Sequence, residues 1–392
     1  MADPTLMRTY LDHNATSPLK PAARHAMAAA FDRPGNASSI HAEGRKAHAL
    51  IDGAREAIAR SLGVLPAMVV FTSGGTEANN FAIHGAPVER LAISAVEHPS
   101  VIEAAKARGM ALEIIPVDDS GLVKLDELTA VLKRSPLPTL VSVMLVNNET
   151  GVLQPISDIV EIARSANALV HTDAVQAFGK MPVNFALLGC DLMTISAHKL
   201  GGPMGVGALV IREGLCLAVQ MNGGGQELRR RAGTENLPAI AGFAAALDPA
   251  PVDRTALRDS LEEALRALSP DVVIFGSDVE RIGNTSCFAL PGFAADMALI
   301  GLDLEGIAVS SGSACSSGKV ARSHVLAAMA VPPELSRGAI RVSLGWNSTA
   351  EDIANFTAAW RRILDRSRLV MAGRDPVISG KSQERYPDQV RV

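Results

Sequence analysis

Between Ser39 and Leu62, apolar residues return every three or four positions: Ala47, Leu50, Ile51, Ala54, Ile58 and Leu62. That period predicts an amphipathic helix, and Gly63 supplies its stop. Beyond it the pattern changes. Short, mostly apolar runs appear at 68–72 (MVVFT), 90–94 (RLAIS), 140–146 (LVSVMLV), 168–174 (ALVHTDA) and 192–197 (LMTISA). Runs of this length, bounded by turn residues, predict buried strands. GTEANNFAIHG, HPSVIEAAKARG and PISDIVEIARSAN lie between them and carry helical spacing. The alternation predicts an α/β layer sandwich around a mostly parallel sheet. GVGALVIR (205–212) follows a glycine-rich turn and is expected to pair antiparallel.

DPAPVD (248–253) breaks the helical pattern on both sides and is the linker candidate. A second α+β unit follows, with strands near 271–275, 282–290 and 339–344. Its last helix is expected to open at STAED, where Ser348 and Glu351 have capping-box spacing. From Gly373 the chain turns polar, with two prolines, and reads as a loosely held tail.

Composition narrows the function classes. The chain has 392 residues, 48% of them apolar, enough for a sizeable core and for two domains. A net charge of −4 with acids and bases interspersed argues against a general nucleic-acid or membrane-surface role. The four cysteines, Cys190, Cys216, Cys287 and Cys315, form no C-x-x-C and fit reduced thiols. The opening MADPTLMRTY has no apolar core of a signal peptide, and no charge-free run is long enough to span a bilayer. A soluble cytoplasmic protein is expected.

Four stretches carry candidate chemistry, each after an expected strand, where open α/β sheets place ligands. FTSGGTEANN (71–80) ends a strand, passes two glycines and opens a helix at Thr76. It reads either as an anion cradle or as an ordinary strand–helix turn, and it lacks the ending of a P-loop. Asp173 in VHTDAVQ closes an apolar strand; it reads as a helix cap, or as the partner of a basic ring nitrogen. Lys199 in ISAHKLGGP has small or apolar neighbours. It reads as a surface lysine or as a desolvated amine suited to Schiff-base chemistry, with Ser196 and His198 beside the same ligand. His98 precedes Pro99 and reads as a helix cap, or as a ring that stacks on a planar ligand and moves protons. Taken together, a phosphate cradle, an amine and a carboxylate for a ring nitrogen are the needs of pyridoxal phosphate.

The ordered set of motifs also resembles the cysteine desulfurases. These are class V aminotransferase relatives, of the type that supplies sulfur for iron–sulfur clusters. The resemblance runs from YLDHNATSP (10–18) through GNASSIHAEGR, TSGGTEANN, EHPSV, VNNETGVLQPI, HTDAVQAFGK, SAHKLGGP, GGGQELRRRAGTEN and SSGSACSSG to GAIRVSLGWNSTAED (338–352). Ala37 and Met204 depart from it, where proline and a basic residue are usual.

The resemblance implies a fold-type-I pyridoxal-phosphate enzyme. Its large domain, 15–249, would hold a mainly parallel seven-stranded sheet between helices. A smaller α+β domain, 1–14 and 250–372, would carry the cysteine loop, and 373–392 would form a polar tail. It also implies roles. Lys199 would bond the cofactor aldehyde, Asp173 would hold the ring nitrogen, and His98 would stack on the ring and move protons. Gln176 would bond the ring hydroxyl. Gly75, Thr76, Ser196 and His198 would cradle the phosphate, with Thr234 reaching it from the other subunit of a homodimer. Asn148 would contact the cofactor and, with Asn14 and Arg341, the carboxylate of L-cysteine. Cys315, set among serines and glycines that allow travel, would accept the sulfur and pass it to an acceptor such as an iron–sulfur scaffold. The other three cysteines read as packing residues. No metal site is expected. A selenocysteine lyase, a class V aminotransferase and a non-catalytic sulfur carrier are the alternatives. The carrier would not need Lys199, Asp173 and His98, and the aminotransferase would not need Cys315.

Overall fold

The computed structural model describes residues 8–248, 250–312 and 322–372. Cys315 and the tail 373–392 lie outside the described residues. The strands, in chain order, are β1 (Thr9–Tyr10), β2 (Val69–Thr72), β3 (Arg90–Ser94), β4 (Ala111–Ile115), β5 (Thr139–Ser142), β6 (Leu169–Asp173), β7 (Leu192–Ser196), β8 (Gly207–Ile211), β9 (Val273–Ile274), β10 (Thr285–Ala289), β11 (Ile307–Ala308), β12 (Ser310–Ser311) and β13 (Ile340–Ser343).

Seven of them form one sheet in the order β2-β8-β7-β6-β5-β3-β4. The pairs β7/β6, β6/β5, β5/β3 and β3/β4 are parallel. β8 pairs antiparallel with both β7 and β2, so it alone runs against the rest. The expected antiparallel 205–212 segment is therefore β8. β2, β3, β5, β7 and β8 are buried at every position, which is why they read as unbroken apolar runs.

β4 has no counterpart in the pattern reading. It is an edge strand with Glu113 at its centre and Ile114 half exposed, so neither alternation nor a solid apolar run marks it. The run at 140–146 leaves strand geometry after Ser142. Even so, Val143 N and Leu145 N still donate to His171 O and Asp173 O at 3.1 and 2.9 Å, and this steers the chain over the end of β6.

A second sheet, β12-β13-β10-β9, is antiparallel throughout. An apolar cluster packs against it, drawing Leu11, Leu261, Phe288, Leu302, Phe356 and Trp360 together. Trp360 stacks on Phe356 at 6.4 Å and meets the edge of Phe288 at 5.6 Å. β1 pairs parallel with β11, and Asp12 bridges to Ser343. The N-terminal segment therefore runs along the second sheet before Asn14 turns toward Lys199.

Two local readings are corrected. The last helix, Ala350–Ala372, is capped one residue later than expected. Thr349 N donates to Asp352 Oδ2 at 2.8 Å and Asp352 N to Thr349 Oγ1 at 3.4 Å, while Ser348 Oγ accepts from Gly345 N in the preceding turn. Cys190 and Cys287 are buried, and burial pushes both thiols far above the usual range. Cys216 is exposed instead: beyond β8 the chain leaves the sheet for the surface, so its apolar neighbours in sequence do not enclose it.

Candidate active site

The C-terminal ends of β3, β6 and β7 and the start of the helix Gly75–Gly85 surround a cavity of about 320 Å³. Each wall follows from the local sequence. After β2 the chain must reverse into a helix within two residues, and Gly74 does this at φ +153°, a conformation closed to side chains. A Cβ on Gly75 would stand 3.0 Å from Val175 Cγ2 and 3.6 Å from Ser196 Cβ, so glycine leaves the cradle open. The first turn leaves the N–H groups of Gly75, Thr76 and Glu77 without helical acceptors, and Thr76 lines the cavity. Opposite them Ser196 Oγ is buried with no hydrogen-bond partner. Donors without an acceptor around an open cradle fit a phosphate.

Asp173 lies across the cavity. Its Oδ1 accepts from Val175 N at 2.9 Å and its Oδ2 from Asn79 Nδ2 at 2.7 Å. The backbone contact is the turn cap that the sequence allowed, and the carboxylate still borders the cavity. His98 likewise caps its helix: Nδ1 accepts from Ser100 N at 3.1 Å and stands 2.7 Å from Ser100 Oγ. Because an amide N–H donates to Nδ1, the neutral ring carries its proton on Nε2. Burial, with Lys199 and His324 nearby, lowers the affinity of His98 for a second proton, and Asp173 opposes this.

Asn79 joins the two groups, since its Nδ2 also donates to Ser100 Oγ at 2.8 Å. Sequence reasoning missed Asn79. Its signal was position, four residues after Gly75 on the helix face toward the sheet.

Lys199 sits in the turn Ala197–Lys199 after β7, with Nζ 2.7 Å from both Asn14 O and Ala15 O. His198 Nδ1 stands 3.2 Å from Thr16 Oγ1; burial, together with Lys199 and Lys180, pushes its pKa down to about 4. Gln176 also lines the cavity and donates through Nε2 to Asn14 O at 3.1 Å.

Arg341, on β13, is almost wholly enclosed. It donates to Asn148 O at 3.1 Å and to Asp12 Oδ1 at 2.9 Å, and its Nε is buried without a partner. Asn148 and Asn14 border the same space. The side chain of Asn14 is committed elsewhere: Nδ2 donates to Thr285 Oγ1 at 2.8 Å, and Oδ1 accepts from Lys180 and Asn284.

The cavity thus collects Asn14, Gly75, Thr76, His98, Asn148, Asp173, Gln176, Ser196, His198, Lys199 and Arg341, every predicted site residue except two. Thr234 lines a separate cleft beside Phe71 and Arg231, and Cys315 lies outside the described residues.

Comparison with known proteins places this arrangement. The model of the family described as aminotransferase class-V matches residues 9–356. The cysteine desulfurase IscS of Dictyoglomus turgidum is 39% identical over 378 residues, covering 92% of this chain and 95% of its own. Among solved structures, a NifS-like protein from Rickettsia africae superposes with a TM-score of 0.84 at 37% identity, covering 92% of this chain and all of its own. A structure described as SspA in complex with cysteine gives a TM-score of 0.77 at 30% identity, covering 86% and 98%. The chain belongs to the class V aminotransferase family and, within it, to the cysteine desulfurases.

Proposed function

We propose that the protein is a pyridoxal-phosphate-dependent cysteine desulfurase that converts L-cysteine to L-alanine and carries the sulfur on Cys315. One observation carries the reading. A single cavity brings Lys199, Asp173, His98 and the Gly75–Thr76 cradle together with Arg341. An amine, a carboxylate, an imidazole, an anion cradle and a guanidinium around one cavity match the parts of the cofactor and of an amino acid.

Ser196 Oγ and the first-turn N–H groups at Thr76 would hold the phosphate. Asp173, held by Asn79 and Val175 N, would keep a proton at the ring nitrogen. His98, with its proton on Nε2, would stack on the ring. Arg341, which lines the cavity with Asn148, would hold the substrate carboxylate. Bound there, pyridoxal phosphate supplies an aldehyde for the substrate amine and a ring that draws electrons from Cα. Lys199 Nζ takes the Cα proton. The Cys315 thiolate attacks the substrate sulfur; a sulfur–sulfur bond forms as the carbon–sulfur bond breaks, Cβ takes up a proton, and Lys199 returns the proton to Cα to give alanine.

The large domain, 15–249, supplies the cofactor side of the site. The smaller domain, 1–14 and 250–372, supplies Arg341 and Cys315. The active form is a homodimer in which Thr234 serves the partner's cradle, in keeping with its place in a cleft separate from its own cavity. The persulfide passes to an acceptor protein of iron–sulfur assembly in the cytoplasm. Among the described residues no helix is long and apolar enough to cross a membrane.

The test is a single turnover with L-cysteine followed by mass spectrometry. The added sulfur is expected on Cys315, with one alanine per sulfur. Borohydride is expected to fix the cofactor on the Lys199 peptide. Sulfur on another cysteine, or normal turnover by Cys315→Ser, overturns the reading.

A further inference from the structure

Lys180 is an amine at the site for which the proposed chemistry has no use. Its Nζ stands 2.6 Å from Gln176 Oε1 and 2.8 Å from Asn14 Oδ1. Both acceptors are neutral amides, and no carboxylate pairs with Lys180 among the described residues. Burial and the charges of Lys199 and Arg341 push its pKa well below the usual lysine range. Keeping an amine here costs stability, which its two amide contacts offset in part.

A glutamine amide has two ends of nearly equal shape and opposite hydrogen-bonding character. Two neighbours decide which end of Gln176 points where. Asn14 O, a carbonyl, only accepts, so Nε2 must face it at 3.1 Å. Lys180 presents hydrogens to the other end, so Oε1 must face Lys180. One hydrogen of Nε2 goes to Asn14 O, and the other has no acceptor among the described residues. Gln176 borders the Lys199 cavity, while Lys180 lies behind it, lining the neighbouring cleft with Met181 and Trp346.

We propose that Lys180 is a positioning residue that holds the Gln176 amide by its oxygen and so turns the free Nε2 hydrogen into the cavity as a fixed donor to the cofactor's ring oxygen. The inference rests on the cofactor reading above. Without Lys180, Oε1 loses its donor, the amide is held only through Nε2 and Asn14 O, and the ring oxygen loses part of its preorganised partner.

The test compares pyridoxal phosphate with its analogue lacking the ring hydroxyl. Apparent Kd values are measured by fluorescence titration for the wild type, Lys180→Met and Lys180→Arg. Lys180→Met is expected to weaken pyridoxal phosphate about three- to tenfold, the loss of one hydrogen bond, and the analogue less than about twofold. Lys180→Arg, which keeps the donors, is expected to restore part of the discrimination. Lys180→Gln, too short to reach Oε1, takes the place of Lys180→Met if that variant does not fold. Equal losses for both compounds, or no loss for either, overturn the inference while leaving the cofactor reading intact. A wild type that binds neither compound overturns the cofactor reading, and this inference falls with it.

Discussion

Asn79 Nδ2 stands 2.7 Å from Asp173 Oδ2 and 2.8 Å from Ser100 Oγ, so one amide ties the carboxylate at the end of β6 to the serine that caps His98. Asn79 rides on the helix whose first turn, at Gly75 and Thr76, borders the cavity. The Gly75–Thr76 turn, Asp173 and His98 therefore share one support. Asn79→Ala is expected to weaken pyridoxal phosphate binding about tenfold, measured by absorbance titration. Asn79→Asp is expected to do more harm, because it sets a second carboxylate against Asp173. Affinities unchanged in both variants would show that the amide only fills space.

Arg341 offers a second test. Its guanidinium already holds Asp12 and Asn148 O, with Nε to spare. Arg341→Lys keeps a charge near Asp12 but loses the planar fork. The expected result is a KM for L-cysteine raised about tenfold or more with cofactor affinity unchanged. A fall in kcat alone, at constant KM, would remove Arg341 from substrate binding.

Glu149 makes stability depend on pH. It is buried beside Arg341, accepts from Ser323 Oγ at 2.5 Å, and burial pushes its pKa up to about 7. A carboxyl whose folded pKa lies above its unfolded value near 4.5 favours the folded state most at low pH. That contribution, about 3 kcal/mol at full extent, is lost as pH rises from about 4.5 to about 7. Glu149→Gln is expected to remove this slope from urea-unfolding measurements between those values. An unchanged slope would place the titration elsewhere.

His171 acts in the opposite direction. It lies inside the sheet between Ser142 Oγ at 2.8 Å and Thr194 Oγ1 at 3.0 Å, and burial pushes its pKa down to about 4. Its contribution is present above the unfolded value of 6.5 and is lost as pH falls toward 4. His171→Asn is expected to flatten the acid side of the stability profile, read from denaturant midpoints. Persistence of the full acid slope would assign it to other groups, such as His13 and His198, which burial also pushes down to about 4.

Hybrid dimers test Thr234. Lys199→Ala and Thr234→Ala subunits, each weakened alone, are expected to recover part of the activity when mixed, because one of the two sites in a hybrid is intact. No recovery, together with full wild-type activity from a monomer in sedimentation, would return Thr234 to a local role.

What the sequence determined by itself was local and periodic. The helix Ala42–Leu62 and the buried strands were legible because a half-buried helix and a fully buried strand force distinct apolar spacings. Linear motifs marked Lys199, Asp173 and His98 because each turn and its side chain lie within a few residues of one another. The tertiary structure decided what depends on residues distant in the chain. β4 is a strand because β3 lies beside it, although its own pattern is mute. Cys216 is exposed because the chain leaves the sheet there, whatever its neighbours in sequence. Lys180 meets Asn14 across 166 positions, and Asn79 meets Asp173 across 94. Such contacts leave no periodic mark, because a single buried hydrogen bond constrains two residues and not the spacing between them.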